Sequence, residues 1–306
     1  MPVRAGWWRL VLGTAAFALL APGAVGLVAL PLAALLVAAG LHRPRDAPIA
    51  MLVAAIGLAF VVWSARDTLD AALGAYALIV AAAFTGGALQ APAGVLRQAL
   101  RAMLWGAAGT GVLGLTLRGT GFWNELHWSA VRQASSALRL AVQLQPDSYA
   151  LFEPLVRFFG NAFPGLVALQ TFAALALAWQ WHVRLAAAPL GPPLGAFRQF
   201  RFGDQWVWGL VATLLVWVVP KLAALKVVAT NLGIVLGVLY LLRGAAIMVA
   251  IAGTAGVPAW TLTVATIIAG ALVVPLLLLV PGLWTLGVFD TWLAFRQRRA
   301  SPPTAP

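Results

Sequence analysis

The chain has no cysteine. Disulfides, thiolate metal sites and a cysteine nucleophile are therefore excluded, and cysteine usage gives no information on redox compartment. Acidic residues are scarce as well: eight Asp and Glu stand against 20 Lys and Arg in 306 residues, for a formal charge of +12. The sequence contains no Gly-rich loop ending in Lys-Ser/Thr, no Gly-x-Ser-x-Gly elbow and no His-Glu-x-x-His. Recognisable nucleotide-binding, serine-hydrolase and zinc-protease chemistry is thus missing, and any ATP used would be bound by another subunit. The three histidines, His42, His127 and His182, are scattered, and with the acids equally dispersed no metal cluster can be drawn from spacing. No nucleophile–base pair or paired carboxylates are visible, so the chain reads as non-enzymatic, with no cofactor and no metal implied.

What is abundant is apolar length. From Gly256 to Phe295 the only acidic side chain is Asp290, and the run then breaks into Arg296-Gln297-Arg298-Arg299. An apolar stretch of about 18 residues already suffices to cross a bilayer. Composition agrees: 62% hydrophobic and 9% charged residues leave too little polar surface to cover a soluble globule. Such a basic excess raises nucleic acid as a partner. The bases, however, fall singly or in pairs between apolar runs: Arg43 and Arg45, Arg97 and Arg101, Arg184, Arg198 and Arg201, then Arg296, Arg298 and Arg299. That distribution orients spans beside anionic lipid, so the lipid bilayer is the expected partner and nucleic acid is not.

Apolar segments near 7–21, 24–41, 48–64, 69–90, 99–117, 163–185, 205–226, 229–252 and 257–293 predict an all-α polytopic transmembrane bundle of eight or nine helices. Residues 1–300 read as a single integral membrane domain, and the Pro-rich tail 301–306 as disordered. Arg4 and Arg9 before Leu10–Ala21 mimic a secretory signal, but Pro22 and the renewed apolar run from Val25 favour a retained first span. An internal amino terminus puts the Arg43, Arg97 and Arg184 groups in the cytoplasm, whereas nine crossings would leave Arg296–Arg299 outside. The charge rule therefore favours an even count with both ends cytoplasmic. The segments most open to revision are the closely spaced pair at 7–41 and the last run, which Pro275 and Pro281-Gly282 could divide. A multi-pass protein of the inner (cytoplasmic) membrane is expected.

Residues 118–161 are the one long polar insertion, with Glu125, Asp147 and Glu153. Within it Trp123, Leu126, Ala130, Ala134, Leu138 and Ala141 recur at helical spacing, which predicts one amphipathic interfacial helix ended at Pro146-Asp147. A surface segment packed on its own protein fits the pattern equally well.

Charges inside apolar runs cost about 2.5–3.5 kcal/mol each at mid-helix, so they are the default site candidates. Arg243 lies between Leu232–Leu242 and Ala245–Ala252, and Asp290 lies near the end of the last run. With Asn231 they form a candidate ligand-binding set for a small polar or anionic solute. An Arg243–Asp290 ion pair tying two helices together, or snorkelling of Arg243 to an interface, explains the same residues without a ligand. Gly233, Gly237 and Gly244 share one helical face and permit close helix packing, and Gly106, Gly109, Gly111 and Gly114 form a comparable stretch. Most of the 14 tryptophans lie near span ends, as interface belts do, and His182 beside Trp181 reads as an interfacial anchor.

Asn231, Leu239-Tyr240-Leu241-Leu242-Arg243-Gly244 and Gly287-Val288-Phe289-Asp290-Thr291-Trp292-Leu293-Ala294-Phe295-Arg296 resemble the YybS-like family of uncharacterised bacterial membrane proteins. Phe200-Arg201 and Leu30-Pro31-Leu32 support the likeness, although the family more often carries Gln at the position of Arg243. The amino-terminal part is similar in pattern to S subunits of energy-coupling-factor transporters. The family implies no established activity, and the S-subunit likeness is one of fold that transfers no ligand. Short helices broken by Gly and Pro around a buried polar set instead suit a small-solute carrier or substrate-binding transporter component, with an energising ATPase subunit or another membrane protein as partner. The alternative is a non-catalytic scaffold or assembly factor that recruits a protein through 118–161 or the basic carboxy terminus.

Overall fold

A computed structural model describes residues 7–40, 67–90, 94–144, 149–186, 188–258, 261–262, 264–265 and 273–293. The expected span at 48–64, the arginines at 43, 45 and 296–299, and the tail 301–306 lie outside these. The described helices are α1 (Trp7–Leu20), α2 (Val25–Gly40), α3 (Thr68–Gln90), α4 (Val95–Arg118), α5 (Phe122–Leu144), α6 (Tyr149–Leu185), α7 (Trp206–Val218), α8 (Lys226–Thr254) and α9 (Val273–Leu293). No strand occurs among the described residues. Among the described residues four stretches are long and apolar enough to cross a membrane, Thr68–Gln90, Val95–Ser136, Glu153–Leu185 and Pro220–Thr254, and α1, α2, α7 and Leu277–Leu293 are shorter apolar helices. The backbone gathers into two compact units, Met1–Leu194 and Gly195–Pro306.

In the first unit Leu27, Val28 and Leu35 of α2 meet Val80 and Phe84 of α3, Ala99 and Ala102 of α4, and Ala174, Leu175 and Trp179 of α6. Glycine sets how closely these helices approach. A Cβ on Gly106 would run into Val80, and one on Gly109 would stand 2.9 Å from Ile79, so the upper part of α4 lies directly against α3. Gly111 and Gly114 turn instead to Trp123 and Phe122 at the start of α5. The α4–α5 reversal needs Gly119, whose φ of +66° is open to glycine and strained for most other residues. Beside it Arg118 in the last turn of α4 pairs with Glu125 in the first turn of α5 at 2.7 Å. The Thr68 hydroxyl donates to Glu125 at 3.0 Å, tying in the start of α3.

The insertion at 118–161 is therefore mostly helix, carried by α5 and the first turns of α6. Phe122, Ser129 and Ala130 are buried while Trp123 and Trp128 are exposed. Ala130 is buried and Leu126 and Ala134 are half-buried, but Trp123 leaves the apolar stripe while Phe122 fills the space beside Gly114. The helix end falls at Leu144, and Pro146-Asp147 lies outside the described residues. His182 is not an interfacial anchor. It is fully buried, packs on Trp179, and its Nε2 accepts the Leu190 N–H at 3.1 Å. With Trp179 Nε1 donating to the Pro192 carbonyl at 3.0 Å, this pins residues 188–194 back onto α6.

The second unit is built on α8, which packs against both α7 and α9. Segment 205–226 is not one span: Pro220 removes a backbone donor, and a 3-10 stretch, Pro220–Leu225, separates α7 from α8. At about 1.5 Å per residue α7 covers roughly 20 Å, short of a hydrocarbon core of about 30 Å. By contrast, Pro281 sits inside α9 without dividing it.

Candidate functional site

Gly244 of α8 and Gly287 of α9 form the closest helix approach in the second unit. A Cβ on Gly244 would collide with the Leu283 carbonyl, and one on Gly287 with the Tyr240 carbonyl. The backbones of the two helices are thus in contact, as small residues allow where no expulsion of water drives helices together. Gly233 and Gly237 serve a looser role. Their nearest neighbours are Thr213 of α7 at 3.6 Å and Trp284 of α9 at 3.9 Å, so the glycine face is shared between two helices.

The glycine contact brings Arg243 and Asp290 together. Arg243 Nε donates to Asp290 Oδ2 at 2.9 Å, and Nη2 lies 2.9 Å from the same oxygen. Nη1 points the other way, to Asp204 Oδ1 at 2.8 Å, and Asp204 Oδ2 accepts from Arg201 at 2.8 Å. The phenyl face of Phe202 covers the guanidinium at 5.7 Å and meets the buried Tyr240 ring edge-on at 4.9 Å. The charges alternate, Arg201, Asp204, Arg243, Asp290, and sum to zero, which is how a buried cation avoids an uncompensated desolvation cost.

Exposure divides this chain of charges. The Arg243 side chain is 0% exposed and that of Asp290 3%, whereas Asp204 and Arg201 are 41% and 43% exposed. Asp204 belongs to the turn just before α7, outside any helix. Burial by itself would raise its carboxyl pKa, but the hydrogen bonds and charges of Arg243 and Arg201 outweigh that and hold it below the ordinary value of 3.8. A guanidinium buried on every side is thus held by one fixed carboxylate on α9 and one carboxylate on a loop open to solvent.

Of the residues singled out in the sequence, Arg243 and Asp290 are together and Asn231 is not. Asn231 lies twelve positions earlier on α8, roughly 18 Å along the axis, and its amide donates to the Val227 carbonyl at 2.8 Å. Snorkelling of Arg243 is excluded by its full burial. The sequence reading missed Asp204 and the roles of Arg201 and Phe202. The available signal was local: Arg201 and Asp204 are an i,i+3 pair at the mouth of an apolar run, and an intramembrane Arg beside one Asp can accept a second carboxylate. Among the described residues no group of three His, Asp or Glu is placed to hold a metal ion.

No curated protein and no solved structure matches the chain. Among protein families, residues 19–291 match the one described as predicted membrane protein (DUF2232), a stretch that contains α2 to α8, Arg243 and Asp290. With its apolar helices and most of its length inside that match, the chain belongs to this family of membrane proteins.

Proposed function

We propose that this membrane protein is a component of a small-solute carrier in the inner membrane, and that its solute is an anion received at Arg243. The observation that carries the reading is the unequal pair of carboxylates on one buried guanidinium. Asp290 is fixed in α9, whereas Asp204 is on a half-exposed loop and occupies the position a carboxylate or phosphate of a solute would take. In this reading Asp204 is an internal competitor. An incoming anion displaces it from Arg243 and Arg201, and the loop moves out. An ATPase subunit or another membrane protein supplies the energy, the spans are even in number with both ends cytoplasmic, and the finer kinship is to the YybS-like family.

The test compares the wild-type chain with Asp204→Asn and with Arg243→Met/Asp290→Leu, each extracted gently from its own membranes and measured by native mass spectrometry for bound small anions. Loss of the internal competitor should raise anion retention in Asp204→Asn, and the apolar double variant, which leaves no buried charge behind, should retain none. Anion retention that is unchanged or lower in Asp204→Asn, or absent from every sample, would overturn the reading.

A scaffold role draws on a different observation. Trp128 in α5 and Phe158 and Phe159 in α6 are all exposed, which suits a partner or the headgroup layer. Recovery of a protein partner without any small anion, lost on deletion of 122–145, would favour it.

A further inference from the structure

The first unit carries a second polar feature that the Arg243 site does not use. A groove of about 400 Å³ opens between the end of α3 and the beginning of α4, walled by Gly86, Gly87 and Gln90 on one side and Gln98, Arg101 and Trp105 on the other. Its volume falls in the range of small-molecule sites. The groove exists because α3 carries glycine at 86 and 87: a Cβ on Gly86 would meet nothing within 4 Å, and one on Gly87 only the Gln98 Cγ at 3.9 Å. Its floor is fixed, because the buried Gln98 amide donates to the Gly87 carbonyl at 3.3 Å and locks the two helices together.

The chemistry along its rim is graded. Arg101 and Trp105 line the groove, and Arg97, one turn before Arg101 on α4, continues their stripe beyond it. Arg97 and Arg101 are exposed and, among the described residues, neither pairs with a carboxylate. Trp105, one turn deeper into the helix, is 67% exposed, as suits an indole at the boundary between headgroups and acyl chains. Two unneutralised guanidiniums beside a cleft between membrane helices complement a phosphodiester.

We propose that this groove seats the headgroup of an anionic phospholipid, with Arg97 and Arg101 on the phosphate, Gln90 at the headgroup hydroxyls and Trp105 against the start of the acyl chains. The site is independent of the Arg243 reading. Its test is a titration of the purified full-length chain in detergent with phosphatidylglycerol or phosphatidylcholine of the same acyl chains, followed by native mass spectrometry. One phosphatidylglycerol should be retained in preference to phosphatidylcholine. Arg101→Gln should weaken that retention about fivefold, equivalent to about 1 kcal/mol for one basic residue at a membrane surface. Gly86→Leu, whose side chain enters open space, should abolish it without lowering the melting temperature. Arg9→Gln removes another exposed arginine, on α1, and should change nothing. Equal retention of phosphatidylcholine, indifference to both groove variants, or an equal loss in Arg9→Gln would overturn the proposal. So would displacement of the lipid by millimolar inorganic phosphate, which would make the groove a site for soluble anions.

Discussion

Replacing Gly233, Gly237 and Gly244 of α8 and Gly287 of α9 by alanine, one at a time, separates packing from helix propensity. In a helix interior Gly→Ala is worth about 1 kcal/mol in favour of the folded state. At Gly233 and Gly237 the new methyl would stand 3.6 Å from Thr213 and 3.9 Å from Trp284, ordinary contact distances, so most of that gain should survive. At Gly244 and Gly287 the methyl meets the carbonyls of Leu283 and Tyr240, which are backbone and cannot rotate aside. Carbon contacts settle near 3.5–4.0 Å, so the helices must separate by on the order of 1 Å. Overpacking of this kind costs about 1–3 kcal/mol, and separation also lengthens the Arg243–Asp290 pair, whose rupture carries about 3–5 kcal/mol of its own. Gly244→Ala and Gly287→Ala should therefore be destabilised by roughly 1–3 kcal/mol net, against neutral or improved stability for Gly233→Ala and Gly237→Ala. Equilibrium unfolding in mixed micelles, with a thermal melt followed by size-exclusion chromatography as a second readout, gives the four values. A Gly244→Ala variant as stable as wild type would refute the close-contact geometry and, with it, the reason Arg243 reaches Asp290.

The charge chain makes its own predictions. Asp290→Asn, which leaves Arg243 buried with Asp204 alone, should lose about 3–5 kcal/mol, whereas Arg243→Met/Asp290→Leu should be close to neutral; equal losses in the two would show that burial and not pairing sets the cost. Because the folded pKa of Asp204 is depressed, its contribution to stability is fully present above the ordinary value of 3.8 and is lost as pH falls through the lower folded value. Thermal melts from pH 6 down to about pH 3 should accordingly fall less steeply for Asp204→Asn than for wild type. In the first unit Gly114→Ala drives a methyl into the Phe122 ring and should destabilise the protein, and Phe122→Ala in the same chain should recover part of the loss. Since the chain has no cysteine, single cysteines can report topology, and Ser301→Cys should react with impermeant maleimide only after the cytoplasmic side is opened.

The sequence made visible whatever depends on helix period and solvent. Apolar length marked out α3, α4 and α8 within a few residues at most of their ends, because a membrane helix must satisfy its backbone internally and stay apolar over its whole length. It also made Arg243 and Asp290 stand out, since a charge in such a run needs a partner and few acids were available. Side-chain direction was harder to read. Gly233, Gly237 and Gly244 lie on one face, but which of them touches backbone depends on where α9 crosses α8, and no pattern within α8 encodes that. The polar insertion announced one amphipathic helix, α5, which buries Phe122, Ser129 and Ala130 against its own protein, but it concealed the start of α6.

Asp204 was the least legible element of all, because it belongs to no periodic segment. A loop carboxylate finds a buried cation only once α7, α8 and the turn before α7 are folded together, and its pairing with Arg201 looks, in sequence, like an ordinary surface contact. The distinction matters for function. An Arg243–Asp290 pair alone would be a neutral staple between two helices, complete in itself. The addition of Asp204 and Arg201 extends the charge chain to a half-exposed turn, and under the proposed function it is this outermost carboxylate that is exchanged. Stability experiments on Asp290 and exchange experiments on Asp204 therefore address two different roles of one arginine, and the second can fail while the first holds.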